Sequence, residues 1–400
     1  MPNTIILGAG FSGLATAITS GGTVYEATDS PGGLGASYEI NGFRFERGGG
    51  HWLFGGDPMV TAFIQGLCDI KRYERKSSIY FPDEDKFYPY PIQSTPEFAS
   101  VISQETGGEY GQPIVTIKDD LRHRFGTTMC EKFFFPFNDL YTAGLYDKVA
   151  PQDAYKSPPI GNKGYNETFI YPVQGLGHLA RRMAARCEVR FNKRAKWIDT
   201  REKMVHFEDD TCQGYGKLVS TLPLNRMMVM TGLQPDNDAS DPAVSVAVYN
   251  IAAKRGKNCP SDQWVYTPNS DAGFHRVGFY SNVDKILAPF GKQDTHVSMY
   301  VESAHKYDPH ASNGLVSEWS NESAVIWTLQ EWGWIEDTEV VDRTDVEIAY
   351  TYCRPESTWR EDAIALLKQH DITCVGRFAE WRFCGIVESM RRGFEAGVNL

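Results

Sequence analysis

The 400-residue sequence predicts an α/β fold that combines a parallel sheet flanked by helices with a helical domain and an antiparallel sheet. Three observations predict it. The N-terminal segment has the pattern of a strand, a glycine-rich turn and a helix; residues 95–150 have helix-like apolar spacing; and residues 244–304 alternate between apolar and polar side chains. With 42% hydrophobic and 23% charged residues, the composition is that of a globular protein rather than a disordered or coiled-coil chain.

The first element is a Rossmann-type unit. Residues 4–7 form a short apolar strand, and Gly8, Gly10 and Gly13 then make a GxGxxG pattern before the helical residues 14–19. In this pattern the first glycine permits a tight turn, the second lets the backbone approach a diphosphate, and the third lets the helix pack closely on the strand. The helix amides would face the phosphates.

A second short strand, residues 23–25, ends at Glu26. An acidic residue about 20 positions after the glycine turn accepts hydrogen bonds from the ribose of a bound dinucleotide. The glycine pattern alone is also consistent with an ordinary turn, but the flanking strand, the helix and the spaced acid favour dinucleotide binding.

A second glycine-rich segment, residues 31–37, is followed by another at 42–51. This arrangement resembles FAD-dependent proteins of the glutathione-reductase and amine-oxidase type, in which a second glycine pair lets the chain pass close to the long cofactor. The resemblance therefore implies FAD rather than NAD. A flexible surface loop is the alternative for these glycines.

Further segments extend the resemblance over nearly the whole chain. In chain order they are GGHWLFGGD (49–57), YPYPIQ (88–93), FNDLYTAGLYDKVAPQD (137–153), GYNETFIYP (164–172), VSTLPL (219–224), DQWVYTP (262–268), GFHRVGFYSN (273–282) and GRFAEWRF (376–383). Together they resemble the UDP-galactopyranose mutase family, and its eukaryotic branch more than the bacterial one. Amine oxidases and protoporphyrinogen oxidase share the FAD segments, but WxYxP followed by an arginine-bearing strand points to the mutases.

The predicted FAD-binding domain is discontinuous. It comprises residues 1–80, 176–228 and 365–400, since the amphipathic helix that begins at Leu176 and the apolar strand 372–375 both return to it. The helical domain is predicted over 95–158. Residues 81–94, 159–175 and 229–364 are assigned to the antiparallel-sheet substrate domain.

Trp264 and Tyr266 lie at i and i+2 and so share one face of a predicted strand, and Arg276 lies on the next strand with Phe274 and Tyr280. Aromatic rings beside a planar cation suit a nucleotide sugar, whose base stacks and whose diphosphate pairs with the guanidinium. A sheet core with a snorkelling arginine explains the same pattern. The resemblance favours the binding role, because Tyr266 and Arg276 match family residues that contact the diphosphate.

The resemblance implies three sets of site residues. His51, Arg377 and Arg276 are the predicted catalytic residues. The predicted cofactor-binding residues are Gly8, Gly10, Phe11, Ser12, Gly13, Glu26, Gly33, Leu34, Ser37, Gly50, His51, Gly376 and Arg377. The predicted substrate-binding residues are Tyr90, Ile92, Gln93, Lys148, Asn166, Trp264, Tyr266, Arg276, Tyr350 and Phe383.

Two of these positions depart from the family pattern. Lys148 stands where the family has an arginine, so a point charge replaces a bidentate fork. Phe383 stands where the family has a tyrosine and cannot donate a hydrogen bond to a phosphate. These differences leave the sugar nucleotide open.

The charge and the cysteines exclude several classes of protein. Forty Lys and Arg against 51 Asp and Glu give a net charge of −11, which disfavours nucleic acids and anionic membranes as partners. The eight cysteines include no CxxC pair, so neither a disulfide framework nor a metal site is predicted. We expect a cytoplasmic protein that is a monomer or a small homo-oligomer.

The reaction implied by the resemblance is the interconversion of UDP-galactopyranose and UDP-galactofuranose through a covalent adduct of the sugar with N5 of reduced FAD, without net redox change. NAD(P)H is a candidate external reductant. An FAD-dependent oxidase or desaturase acting on an amine or an apolar ring is the alternative. A non-catalytic binding module, like the related Rab GDP-dissociation inhibitors, is disfavoured because both glycine clusters and Glu26 are retained.

Overall fold

The computed structural model describes residues 3–106, 111, 113–152, 159–161, 164, 166–234, 240–308 and 322–400. Its helices are α1 (Phe11–Ser20), α2 (Pro58–Gln65), α3 (Pro96–Thr106), α4 (Ile117–Met129), α5 (Phe135–Tyr141), α6 (Leu176–Ala184), α7 (Leu224–Thr231), α8 (Tyr280–Val283), α9 (Glu322–Glu331), α10 (Trp359–Gln369) and α11 (Ile386–Val398). Its strands are β1 (Thr4–Leu7), β2 (Thr23–Tyr25), β3 (Ser37–Ile40), β4 (Phe43–Glu46), β5 (Ile70–Glu74), β6 (Ser77–Phe81), β7 (Lys86–Pro89), β8 (Thr168–Pro172), β9 (Val189–Arg190), β10 (Ala195–Asp199), β11 (Met204–Phe207), β12 (Cys212–Gly214), β13 (Lys217–Ser220), β14 (Ala243–Arg255), β15 (Trp264–Tyr266), β16 (Arg276–Phe279), β17 (His296–Lys306), β18 (Ile335–Thr351) and β19 (Ile372–Cys374).

A five-stranded parallel sheet has the order β19-β13-β1-β2-β9, so its strands come from three separate stretches of the chain. Its central strand β1 is apolar and buried, as is usual for a parallel sheet covered on both faces. α1 and α11 pack together beside it, and Gly393 permits the close approach: a Cβ there would lie 2.4 Å from the Ser12 carbonyl oxygen. The predicted α/β fold with a discontinuous Rossmann-type part is confirmed.

A seven-stranded sheet has the order β18-β14-β17-β16-β15-β6-β7. It is antiparallel except where β15 runs parallel to β6, with Trp264 opposite Ser77 and Tyr266 opposite Ile79. The predicted boundary at residues 80 and 81 therefore divides β6, whose hydrogen-bond partners place all of it in this sheet. The long strands β14 and β17 are buried along most of their length.

The predicted strand through Phe274 and Tyr280 is shorter in the structure. β16 covers only Arg276–Phe279, and Tyr280 begins α8, where its hydroxyl donates to Asn250 Oδ1 at 3.0 Å. Arg276 nevertheless stays opposite Tyr266 on β15, as the alternation predicts.

The helical region is formed by α3, α4 and α5, with a π-helical turn at Cys130–Phe134 between the last two. Its aromatic side chains reach the seven-stranded sheet. The Phe137 ring lies 5.4 Å from the Tyr266 ring, and the Tyr141 ring lies 5.2 Å from the His275 ring. Among the described residues, the helices are all too short or too polar to cross a bilayer.

Candidate functional site

One cavity of about 480 Å³ lies between the parallel sheet and the seven-stranded sheet. Most of the residues predicted for the site line it: Gly8, Gly10, Phe11, Ser12, Glu26, Gly33, Leu34, Gly50, His51, Asn166, Trp264, Tyr266, Arg276, Tyr350, Arg377 and Phe383. The glycine-rich wall and the aromatic wall, predicted from distant parts of the sequence, therefore face the same space.

The glycine-rich wall of the cavity lies where β1 leads into α1. Gly10 is the N-cap of α1 and makes no side-chain cap, so the helix presents its first amides to the cavity. A Cβ on Gly10 would have no protein atom within 4 Å, whereas a Cβ on Gly13 would lie 2.0 Å from the Gly8 carbonyl oxygen. Gly10 thus leaves room for a ligand, and Gly13 brings the helix close to the strand. A diphosphate fits such a helix terminus.

Glu26 stands at the end of β2 and is nearly buried. Its Oε2 accepts a hydrogen bond from the Ala9 amide at 2.7 Å, and its Oε1 accepts from the amide and the hydroxyl of Thr28, each at 2.9 Å. These contacts hold the carboxylate at the glycine turn, and Oε2, which accepts only one of them, keeps acceptor capacity for a ribose hydroxyl.

The loop that follows β4 carries Gly50 and His51 into the cavity. His51 Nδ1 lies 2.9 Å from the Gly49 carbonyl oxygen. Burial lowers the pKa of His51, and the neighbouring Arg377 and Arg276 lower it further against the opposing effects of the Gly49 hydrogen bond and Glu302. The imidazole is therefore neutral at pH 7, with its proton on Nδ1 and an acceptor at Nε2.

Arg276 is paired with a carboxylate that the sequence analysis did not select. Its Nε donates to Glu302 Oε2 at 2.9 Å, and its Nη2 donates to Glu302 Oε1. Burial by itself raises the pKa of Glu302, but Arg276 and His275 more than offset it and hold that pKa well below 4.5. Glu302 therefore cancels the charge of Arg276. No described residue accepts a hydrogen bond from Nη1, which can donate to a ligand in the cavity.

Arg377 has different surroundings. Its guanidinium lies over the rings of Phe383, Tyr350 and Phe378 at 4.6, 5.2 and 5.5 Å, and its Nη2 donates to the Ala349 carbonyl at 2.7 Å. Within the part of the chain that the structure describes, no carboxylate forms an ion pair with it. Arg377 is thus a partly buried cation that lacks a counter-ion at the cavity wall.

Tyrosine side chains form part of the aromatic wall of the cavity. Tyr266 is 2% exposed, and burial raises its pKa. Burial likewise raises the pKa of Tyr350 to about 12, and its ring lies 4.6 Å from that of Tyr141. Both phenols stay protonated at neutral pH and are hydrogen-bond donors.

Three predicted substrate-binding residues of the YPYPIQ segment, Tyr90, Ile92 and Gln93, do not line the cavity. The Tyr90 ring lies 4.8 Å from the Tyr266 ring, whereas Ile92 and Gln93 are fully buried and do not line the cavity. Lys148 is exposed on a turn after α5, where its amide donates to the Leu145 carbonyl. The structure does not bring its ammonium group to the cavity.

Three predicted cofactor residues have packing or anchoring contacts instead of lining positions. Gly13 is covered by Gly8. Ser37 accepts a hydrogen bond from the Gly177 amide at 2.7 Å and so anchors α6. Gly376 has a φ of 90°, and a Cβ there would lie 2.6 Å from Ser12 Oγ, so it lets the chain approach α1.

Sequence reasoning missed Glu302, Tyr300 and Arg75. Tyr300 and Glu302 alternate with Val297, Met299 and Val301 in β17, so a carboxylate beside these apolar residues was the available signal. Arg75 lies between β5 and β6, and no sequence pattern around it indicates a place near the site.

A family model described as an NAD(P)-binding Rossmann-like domain matches residues 6–67. The crystal structure of a reduced UDP-galactopyranose mutase has a TM-score of 0.86 and 20% sequence identity, covering 99% of this chain and 93% of that chain. A protein from Exiguobacterium sp. 255-15 designated a protoporphyrinogen oxidase has a TM-score of 0.73 and 14% identity, with 99% and 98% covered. Putrescine oxidase bound to putrescine has a TM-score of 0.65 and 14% identity, with 100% and 98% covered.

This chain shares its fold with a UDP-galactopyranose mutase over almost its whole length. The predicted resemblance is therefore confirmed at the level of fold. Its closer relation to the eukaryotic branch stays a prediction.

Proposed function

We propose that the protein is an FAD-dependent nucleotide-sugar mutase that interconverts UDP-galactopyranose and UDP-galactofuranose with reduced FAD and without net oxidation. The observation that carries the proposal is a cavity with the glycine-rich wall on one side and the aromatic wall with Arg276 and Arg377 on the other. The higher TM-score of the mutase, 0.86 against 0.73 and 0.65 for the two oxidases, favours it over an oxidase.

The residues of the glycine-rich wall fit FAD. The amides at the start of α1 would bind its diphosphate beside Gly10, and Glu26 would bind a ribose. Gly33, Leu34, Gly50 and His51 line the continuation of the cavity and would hold the flavin. When bound and reduced, FAD supplies a nucleophilic nitrogen at N5, so the protein needs no nucleophile of its own.

The residues of the aromatic wall would hold the uridine diphosphate while it is detached from the sugar. Arg377 supplies a charge that no described carboxylate cancels, and Arg276 supplies a donor at Nη1. Tyr266 and Tyr350 donate phenolic hydrogen bonds, while Trp264 and Phe383 offer apolar contact. His51 accepts at Nε2 beside the flavin position.

The finer expectations belong to the same proposal. All eight cysteines are free thiols, which fits a reducing, cytoplasmic compartment. NAD(P)H is the proposed source of electrons for FAD, and the protein is proposed to act as a monomer or a small homo-oligomer.

Chromatographic assay of the flavin-loaded protein with UDP-galactofuranose tests this function. We expect conversion to UDP-galactopyranose after dithionite reduction and none with oxidised flavin, since only reduced FAD is nucleophilic at N5. Equal turnover by the oxidised form, or hydrogen peroxide production from an amine that UDP does not inhibit, would favour an oxidase instead.

Two arginine variants provide the control for that assay. Arg377→Met removes the cavity cation and should lower kcat/KM at least about tenfold, the effect of losing one charge-assisted contact. Arg382→Met removes an exposed cation five residues along the chain and should leave turnover unchanged.

A further inference from the structure

Arg75 lies at the junction of β5 and β6, where its backbone amide donates to the Glu167 carbonyl at 2.8 Å. Its partly buried side chain donates from Nη1 to Asn166 Oδ1. Asn166 is buried and lines the cavity. Arg75 therefore contacts a residue that lines the cavity.

The contact with Arg75 determines which way the Asn166 amide points. A guanidinium has five donors and no acceptor, so the oxygen of Asn166 must face Arg75. The NH2 group is then left to donate to another partner. A phosphate or sugar oxygen in the cavity is an acceptor of the required kind.

The same guanidinium contacts the aromatic side of the cavity. It lies 5.1 Å from the centre of the Tyr90 ring, and that ring lies 4.8 Å from the ring of Tyr266, which lines the cavity. Arg75 thus contacts both Asn166 and Tyr90, which are predicted substrate-binding residues.

The charge of Arg75 has no acidic partner among the residues that the structure describes. In the described ranges no carboxylate forms an ion pair with it, whereas Arg276 is neutralised by Glu302, and Lys148 lies outside the cavity. Arg75 and Arg377 are therefore the two cations near the cavity that remain to attract an anionic ligand.

We propose that Arg75 binds the phosphate groups of the nucleotide ligand at the rim of the cavity, together with the amide of Asn166. This inference rests on the proposed function and deepens it, since it assigns the second cation of the diphosphate site to a residue outside the segments that carry the family resemblance. The guanidinium would also order the ligand relative to Tyr90 and Tyr266.

Calorimetric titration of the flavin-loaded protein with UDP and with uridine tests the assignment. Arg75→Ala should raise the dissociation constant of UDP roughly tenfold, the loss expected for one charge-assisted hydrogen bond, and change that of uridine by less than about twofold. Arg75→Lys should give an intermediate value for UDP, because it keeps the charge and loses the planar fork. Arg72→Ala, which removes an exposed cation on β5, is the matched control and should bind UDP like the wild type.

The outcomes separate the two proposals. If the wild type binds UDP and Arg75→Ala binds it equally well, the Arg75 assignment is wrong and the mutase proposal stands. Equal weakening of UDP and uridine would reduce Arg75 to a positioning residue for Tyr90 and Asn166. If the wild type binds no UDP, both proposals fail. Should Arg75→Ala not fold, the same comparison is made with Arg75→Lys and Arg75→Gln.

Discussion

Glu302→Gln is expected to lower the free energy of unfolding by about 3–5 kcal/mol, because it removes the carboxylate that pairs with the largely buried Arg276. The side chain of Glu302 is 3% exposed and that of Arg276 is 15% exposed. Glutamine keeps the shape and can accept one hydrogen bond, so the loss reports the missing charge. Urea unfolding of the flavin-loaded protein measures it. Glu188→Gln breaks the exposed Arg190–Glu188 pair and should cost no more than about 1 kcal/mol.

The same residue predicts a pH dependence. Because the pKa of Glu302 is held below its usual value of 4.5, the unfolded chain binds a proton at this position below that pH and the folded chain does not. The stability from Glu302 is present above about pH 4.5 and is lost on acidification. The difference between wild type and Glu302→Gln should therefore shrink by about 1.4 kcal/mol for each pH unit below that point. A difference that stays constant from neutral to acidic pH would contradict the buried ion pair.

Gly10→Ala is expected to weaken FAD binding at least about tenfold, or 1.4 kcal/mol, without destabilising the cofactor-free protein. The new methyl group meets no protein atom within 4 Å, so the fold accepts it, but it projects where the backbone would approach a diphosphate. Visible absorbance of the purified protein and titration of the cofactor-free form with FAD measure the effect.

Gly66→Ala is the control for that variant. Gly66 caps α2 with a φ of −71°, and it does not line the cavity. Its substitution should leave FAD affinity unchanged. Undiminished FAD binding by Gly10→Ala would mean that the glycine turn does not contact the cofactor.

The fold was predictable from the sequence because its elements have strong local signals. The apolar strand, the GxGxxG turn and the acid at Glu26 follow one another closely in the chain, and β14 carries Val244, Val246 and Val248 at every second position. The attachment of β6 to β15 was not predictable, since a parallel pairing between distant short strands depends on tertiary contacts that no local pattern records.

The candidate site was predictable where residue type and strand register coincide, as for Tyr266 and Arg276. It was not predictable where a charge depends on a distant partner. Glu302 lies on another strand and neutralises Arg276, and Lys148 is exposed on a turn and does not line the cavity. Arg75 approaches the site only because β5 and β8 pair and bring it to Asn166.

The central claim is that one cavity holds FAD and a nucleotide diphosphate at the same time, on opposite walls. Titration of UDP into the flavin-loaded protein, followed by the flavin difference spectrum and by the flavin retained after gel filtration, tests it most directly. We predict a saturable change in the spectrum with all flavin retained. Displacement of the flavin by UDP, or UDP binding by the cofactor-free protein alone, would place both ligands at the glycine turn and contradict the account.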